Sequence, residues 1–213
     1  MKCPLCEARK AKRLCPAKAT QICSVCCGTK REVEIDCPSD CVYLHAGREY
    51  ESERLARTSS LPHRTERLWT DHFLRQYSPI VFGLSQVIMR SRHLVPELVD
   101  SDVQAVLEAL IRTFETLSKG IYYDSTPSGF TQKKLYLELK LFLENPGEGI
   151  IIDEHRLSTS QILDCLQFLK ELSIAITLPR RKSRAFLDHL EGIAQGSARG
   201  DSEESRLILP AEM

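Results

Sequence analysis

Eight of the nine cysteines lie within the first 41 residues, at spacings that suit metal binding. They are Cys3, Cys6, Cys15, Cys23, Cys26, Cys27, Cys37 and Cys41. Eight thiolates are what two tetrahedral four-cysteine zinc sites need, and C-x2-C turns direct two sulfurs to one ion. In a reducing cytosol, zinc is favoured over disulfides, and also over an iron–sulfur cluster. The cysteines therefore predict one to two structural zinc ions.

The adjacent residues Cys26 and Cys27 point in different directions, which indicates two sites. The Cys23–Cys26 turn, together with a cysteine pair at the start of a helix opened by Pro38, predicts one site. Its ligands are Cys23, Cys26, Cys37 and Cys41, and the second site then takes Cys3, Cys6, Cys15 and Cys27. A cross-brace, in which Cys3 and Cys6 share an ion with Cys37 and Cys41, remains open.

His45 is a reserve ligand, because Cys37, Cys41 and His45 follow one another at four-residue intervals. On a continuous helix all three would share one face. This run resembles the end of MYND-type and HIT-type fingers, but Glu49 stands where those fingers have a closing cysteine. An ordinary, partly exposed helix histidine is the alternative interpretation.

A longer stretch carries a second resemblance. Its residues are Cys26-Cys27-Gly28-Thr29-Lys30-Arg31 and Cys37-Pro38-Ser39-Asp40-Cys41, with Tyr43 and Leu44 following. They resemble a group of uncharacterised bacterial proteins in which the Cys-Cys-Gly-Thr-Lys-Arg element precedes a long helical region. That resemblance implies relatives and a cytosolic location, and it implies no mechanism.

Two basic runs are candidates for contact with nucleic acid or another acidic partner. The first comprises Arg9, Lys10, Lys12 and Arg13, and the second comprises Arg180, Arg181, Lys182 and Arg184. Lys and Arg clusters neutralise phosphates. The first run can instead offset the formal charge of about −2 on a four-thiolate zinc site, and the second can be a solvated helix start. The 29 basic and 29 acidic residues balance, so only a local patch would attract a polyanion.

The rest of the chain predicts an all-α bundle of about five or six helices. The predicted organisation is a zinc-binding module over 1–46, a helical bundle over 47–195 and a disordered tail over 196–213. One helix is expected from Pro38 to about Arg57, and another is expected to begin at Pro79 after a break. Leu135 to Leu143 fits either a strand or a helix, and the unbranched Leu, Glu and Lys residues favour a helix.

The catalytic motifs sought are not found: a phosphate loop, a dinucleotide fingerprint, H-E-x-x-H and a nucleophile elbow. No hydrophobic run reaches the length that crosses a bilayer. We therefore expect a mainly α, cytoplasmic, non-enzymatic zinc protein that binds a protein partner or forms a homodimer, with no membrane or small-molecule substrate. RNA or DNA binding is the alternative, and a thiol redox or metal sensor is a further one.

Overall fold

The chain is mainly α in a computed structural model that describes residues 1–58, 71–145, 157–177 and 180–199. A short hairpin precedes the helices, with β1 at Arg13–Cys15 and β2 at Thr20–Ile22. The helices are α1 Ser24–Lys30, α2 Val42–Thr58, α3 Asp71–Leu94, α4 Asp100–Ser118, α5 Phe130–Glu144, α6 Thr159–Ile176 and α7 Ala185–Arg199. The predicted fold class is confirmed.

The chain divides into two compact units. The N-terminal unit comprises Met1–Leu68 together with Pro179–Ser183, and the helical unit comprises Trp69–Leu178 and Arg184–Met213. The N-terminal unit is longer than the predicted 1–46 module because it includes α2 and a short segment from far along the chain. Within this unit the backbone N–H of Lys182 donates to the Glu32 carbonyl at 2.7 Å, which holds that segment in place.

The N-terminal unit has a very small core, in which thiols take the place of most apolar side chains. Strands β1 and β2 pair antiparallel, with Arg13 opposite Ile22. The buried core consists of Cys3, Ala11, Cys15, Ile22, Cys23, Cys26 and Ile35. Few apolar atoms are therefore removed from water, and such small folds commonly depend on a metal or a disulfide.

Helix α2 begins at Val42, four residues later than the predicted start at Pro38. Residues 39 and 40 form a turn instead, in which the N–H of Cys41 donates to the Pro38 carbonyl at 3.1 Å. The expectation that Cys37 and Cys41 share one helical face is therefore wrong. Cys37 lies in the segment before the helix, and Cys41 directly precedes its first residue.

The helical unit is a bundle of five described helices, α3 to α7, in which α4 packs against α5, α6 and α7. Its core is continuous and includes the fully buried side chains of Leu84 in α3, Leu107 in α4, Leu139 in α5, Leu169 in α6 and Phe186 in α7. Among the described residues, no helix has the length and apolar character to span a membrane.

Two local predictions in the helical unit had different outcomes. Leu135 to Leu143 is helical, as predicted, within α5. The predicted break at Pro79 is wrong, because α3 runs continuously from Asp71 to Leu94 with the proline inside it. Burial of Ile80 and Leu84 just beyond the proline offsets the backbone hydrogen bond that proline cannot make.

The predicted tail over 196–213 is helical at its start, since α7 continues to Arg199. The buried residues Phe186, Leu187 and Leu190 anchor α7, and the helix continues past Gly196, where composition alone suggested disorder. Residues 200–213 of the predicted tail lie outside the described residues.

The start of α7 is held by a buried carboxylate of α4. Asp100 is fully buried, and it accepts hydrogen bonds from the backbone N–H groups of Phe186 at 3.1 Å and Leu187 at 3.2 Å. The Thr177 hydroxyl also donates to it at 3.2 Å. The first N–H groups of a helix lack partners within the helix, so Asp100 caps α7 from another element.

Candidate metal centre

Four cysteine sulfurs converge in the N-terminal unit. The Sγ atoms of Cys3, Cys6, Cys23 and Cys26 all lie within 4.8 Å of one another. We call this group cluster A. Three of its members are buried and Cys6 is partly buried. In the described residues, cluster A is the only group of three or more Cys, His, Asp or Glu side chains whose ligand atoms lie this close together.

The first half of cluster A is a tight turn closed by backbone hydrogen bonds. The N–H of Cys3 donates to the Arg9 carbonyl at 2.8 Å, and the N–H of Glu7 donates to the Cys3 carbonyl at 2.7 Å. Glu7 adopts a left-handed conformation with φ of 52°, which lets the chain reverse within a few residues. The turn therefore presents Cys3 and Cys6 from one side of a small loop.

The second half of cluster A is the start of α1. Cys23 occupies the N-cap position, where its Sγ accepts a hydrogen bond from the N–H of Cys26 at 3.4 Å. The first turn of the helix places Cys26 beside it. The sulfurs of Cys6 and Cys23 are 3.9 Å apart, so the two C-x2-C turns face each other directly.

Backbone N–H groups point at the sulfurs of the first turn. The N–H groups of Arg9 and Ala8 donate to Cys6 and lower the pKa of its thiol to about 6. Burial raises the pKa of Cys3, but the N–H groups of Cys23 and Leu5 outweigh it, so that pKa is lowered. Hydrogen bonds of this kind stabilise thiolates, which are the metal-binding form of cysteine.

Cys26 shows the opposite shift. Burial, followed by the neighbouring thiols of Cys23, Cys6 and Cys3, raises the pKa of Cys26 to about 12. Four negative sulfurs this close repel one another unless a cation lies between them. The arrangement is therefore one that a divalent ion would complete.

The donor set of cluster A fits a closed zinc site. Four thiolates in tetrahedral array are the ligands of structural zinc, with Zn–S distances of about 2.3 Å. In a regular tetrahedron this corresponds to sulfurs about 3.8 Å apart, close to the 3.9 Å between Cys6 and Cys23. A zinc ion bound by all four sulfurs would have no coordination position left for a substrate. Such a site can hold a fold together, and it offers no catalytic water.

The predicted pairing of the cysteines needs correction. The structure brings Cys23 and Cys26 together with Cys3 and Cys6, and not with Cys37 and Cys41 as predicted. The physical reason is that the two C-x2-C segments have the same spacing and face each other, with the Cys6 and Cys23 sulfurs 3.9 Å apart, whereas three residues separate Cys37 from Cys41. The matching spacing of Cys3–Cys6 and Cys23–Cys26 was a sequence signal for this pairing.

The other four cysteines also lie near one another. Cys15, Cys27, Cys37 and Cys41 line one small cavity in the N-terminal unit. As expected, Cys26 and Cys27 belong to different groups. His45, the predicted reserve ligand, is exposed on α2 and lies outside cluster A and outside the lining of this cavity.

The residues of the first basic run differ in exposure. Arg9, Lys10 and Lys12 are exposed, whereas Arg13 is partly buried with its guanidinium 4.8 Å from the centre of the Tyr43 ring. The first three can therefore reach a partner, and Arg13 is engaged in packing.

Two of the four side chains of the second basic run make hydrogen bonds within the part of the protein that the structure describes. Arg180 pairs with Glu51 and donates to the Arg31 carbonyl at 3.1 Å. Arg184 donates to the carbonyls of Leu98 at 3.1 Å and Pro96 at 3.2 Å. Lys182 is partly buried and Arg181 is exposed. The guanidinium groups of Arg180 and Arg184 thus bind backbone carbonyls and an acidic side chain, which leaves less positive charge for an external partner.

No protein-family model, curated protein or solved structure matches this chain. The resemblance to the bacterial Cys-Cys-Gly-Thr-Lys-Arg group and to MYND-type or HIT-type fingers therefore stays a prediction.

Proposed function

We propose that the protein is a non-enzymatic, zinc-stabilised interaction or regulatory protein, in which cluster A binds a structural zinc ion. The observation that carries the proposal is the meeting of four thiols within 4.8 Å, supplied by two facing C-x2-C turns. All nine cysteines are free thiols, which suits a reducing compartment such as the cytoplasm. Zinc is the preferred ion because thiolate ligands in a closed tetrahedral site select it.

The metal part of the proposal is tested on the full chain purified under reducing conditions. Elemental analysis should find zinc, and X-ray absorption should show sulfur ligands at about 2.3 Å. The double variant Cys3→Ser with Cys6→Ser should contain one zinc ion fewer. Cys165→Ala is the matched control, because this cysteine is buried in the helical unit and belongs to neither group. Zinc content that is unchanged in the double variant would contradict cluster A as the site.

The proposed partner is a second copy of this chain. The two copies would meet through an exposed face of α5. Lys134, Leu137, Leu141 and Glu144 share one helical face, and all four are exposed. In an antiparallel pair of α5 helices, Leu137 of one copy lies opposite Leu141 of the other. The same register sets Lys134 opposite Glu144, so apolar contact and opposite charges coincide. A two-fold symmetric dimer is self-complementary in this way.

Light scattering coupled to gel filtration tests the dimer. The wild-type chain should have the mass of a dimer, and Leu137→Glu should reduce it to that of a monomer. Ile174→Glu is the control, since Ile174 is similarly exposed, at 56%, on α6. Lys134→Glu should weaken the dimer, and adding Glu144→Lys should restore it. A monomeric wild-type chain, or a dimer that survives Leu137→Glu, would contradict this partner.

Nucleic-acid binding stays a prediction, and the exposed residues Arg9, Lys10 and Lys12 are the part of it that remains accessible. Retention on RNA or DNA that falls steeply with salt would support it. The redox-sensor alternative also stays a prediction. A sensor site should release zinc under mild peroxide, whereas a structural site should keep it.

A further inference from the structure

We propose that Cys15, Cys27, Cys37 and Cys41 form a second metal site, which takes a zinc ion through four thiolates. We call this group cluster B. The proposal adds a second ion to the one assigned to cluster A, and its ligands differ from both pairings considered from the sequence. It does not depend on whether cluster A is filled.

The main observation is that these four cysteines line the same cavity. The cavity is small, at about 10 Å3, which is the space of roughly one water molecule. It is lined by the four cysteines and by Arg13, Leu14, Pro16, Ala17, Ile22, Ile35, Pro38 and Tyr43. Among these lining residues there is no carboxylate and no imidazole. The thiols are therefore the groups available to a cation, and thiols select zinc over magnesium or calcium.

Four separate parts of the N-terminal unit bring these thiols together. Cys15 ends β1, Cys27 lies in α1, and Cys37 follows a turn in which the N–H of Ile35 donates to the Lys30 carbonyl at 2.9 Å. Cys41 directly precedes α2, where its carbonyl accepts from the N–H of His45 at 3.1 Å. With cluster B defined in this way, each of the eight cysteines in the N-terminal unit belongs to cluster A or to cluster B.

The small core gives a reason for a second ion. Apart from the cysteines, the buried residues of this core are Ala11, Ile22 and Ile35. Ile22 and Ile35 also line the cavity of cluster B, so an ion there would lie at the edge of the core. Three apolar side chains bury little surface, so they contribute only a small part of the stability that a fold needs. Metal coordination can provide the rest of the folding energy.

The sulfurs of cluster B are further apart than those of cluster A. No three of them lie within 4.8 Å of one another, as far as the described residues show. A tetrahedral zinc site needs sulfurs about 3.8 Å apart. Changing the rotamer of one cysteine moves its sulfur by roughly 3 Å without any shift of the backbone. The ion would therefore draw the thiols inward from the wall of the cavity they already share.

Charge balance also favours an ion here. A zinc ion with four thiolates has a formal charge of about −2, which nearby cations stabilise. Arg13 lines the cavity, and its guanidinium is fixed over the Tyr43 ring. Among the first basic run, Arg13 is therefore the residue placed to offset the charge of such a site. Arg9, Lys10 and Lys12 of the same run do not line the cavity.

The two clusters alternate along the chain. Cys15 of cluster B lies between the two turns of cluster A, and the adjacent residues Cys26 and Cys27 serve one cluster each. Helix α1 is thus shared by both sites.

The test is the number of zinc ions on the full chain, measured by native mass spectrometry under reducing conditions. The wild-type chain should hold two ions. The double variant Cys37→Ser with Cys41→Ser should hold one, as should Cys3→Ser with Cys6→Ser, whereas Cys165→Ala should hold two. One ion in both the wild type and the Cys37/Cys41 variant would overturn cluster B and leave cluster A standing. A Cys3/Cys6 variant that keeps every ion would instead overturn cluster A.

A second measurement covers the case in which these variants do not fold. Cadmium-113 replaces zinc in the wild-type chain, and its NMR spectrum reports each site separately. Two resonances in the range of all-sulfur ligands are expected. A single such resonance at saturating cadmium, or a second one in the range of oxygen or nitrogen ligands, would overturn cluster B.

Discussion

Replacing Asp100 tests how the helical unit is held together. This carboxylate is fully buried and receives hydrogen bonds from Phe186 and Leu187 at the start of α7, and from the Thr177 hydroxyl. Asp100→Ala removes the acceptor and leaves two backbone N–H groups buried at a helix N-terminus. Asp100→Asn keeps one acceptor oxygen and removes the charge.

The expected loss follows from these contacts. Each buried N–H group left without a partner costs about 1–3 kcal/mol, and a charge at a helix N-terminus contributes about 0.3–1 kcal/mol. Asp100→Ala should therefore lower the free energy of unfolding of the helical unit by about 3–5 kcal/mol. Asp100→Asn should lower it by about 1–3 kcal/mol. The first loss is a large fraction of the 5–15 kcal/mol typical of a domain.

Urea unfolding followed by circular dichroism at the helical band measures both variants. With a slope of about 1.5 kcal/mol per molar urea, a loss of 3 kcal/mol shifts the midpoint by about 2 M. Glu115→Ala is the control, because this acid is exposed on the same helix and should shift the midpoint very little. A shift below about 0.5 M for Asp100→Ala would refute the capping role.

Three further predictions concern local contacts. Burial lowers the pKa of Lys140, but its hydrogen bonds, above all those to Asp124, outweigh burial, so the pKa of Lys140 is raised. The stability that these hydrogen bonds contribute is therefore complete below the ordinary pKa of 10.5, and it is lost as pH rises through the raised pKa. Lys140→Met should cost about 1–2 kcal/mol at neutral pH in urea unfolding. Glu7→Gly should relieve about 1 kcal/mol of left-handed strain and slow zinc loss to a chelator. Arg180→Ala should speed exchange of the Lys182 amide hydrogen, measured by hydrogen–deuterium exchange.

Each of these variants has a matched control and a result that would count against it. Lys133→Met alters an exposed lysine of the same helix and should hardly change the free energy of unfolding. If it lowers that free energy as much as Lys140→Met does, the contacts of Lys140 with Asp124 do not explain the loss. Ala8→Gly places a glycine beside Glu7 without relieving a left-handed residue, and should not slow zinc loss. Arg181→Ala changes an exposed neighbour of Arg180, and a similar effect on exchange would argue against the specific contact.

The helical content could be read from the sequence because helices depend on local patterns. For example, Ser158 and Gln161 have capping-box spacing in the sequence and form that box at the start of α6, and Gly120, a residue that commonly ends helices, follows α4 with φ of 76°. The continuous α3 could not be predicted, since Pro79 alone indicates a start. The helix continues through Pro79 because Ile80 and Leu84 are buried in the core, and this burial cannot be predicted from the local sequence.

The cysteines could be recognised from the sequence as candidate metal ligands, but their grouping was predicted wrongly although the matching C-x2-C spacings indicated it. Residue type and spacing point to thiolate sites, whereas the grouping depends on how separate turns meet in space. The false helical start at Pro38 made Cys37 and Cys41 look like a pair on one face. The division into two units also depends on a non-local contact, in which the Lys182 N–H reaches the Glu32 carbonyl.

The central claim is that zinc in cluster A folds the N-terminal unit, and hydrogen–deuterium exchange with and without zinc tests it most directly. On the full chain under reducing conditions, zinc removal should greatly speed amide exchange in residues 1–58, including the Cys3 N–H that donates to Arg9. Exchange in residues 100–118 of α4 should stay slow, because this helix belongs to the other unit. Unchanged protection across residues 1–58 after zinc removal would contradict the claim.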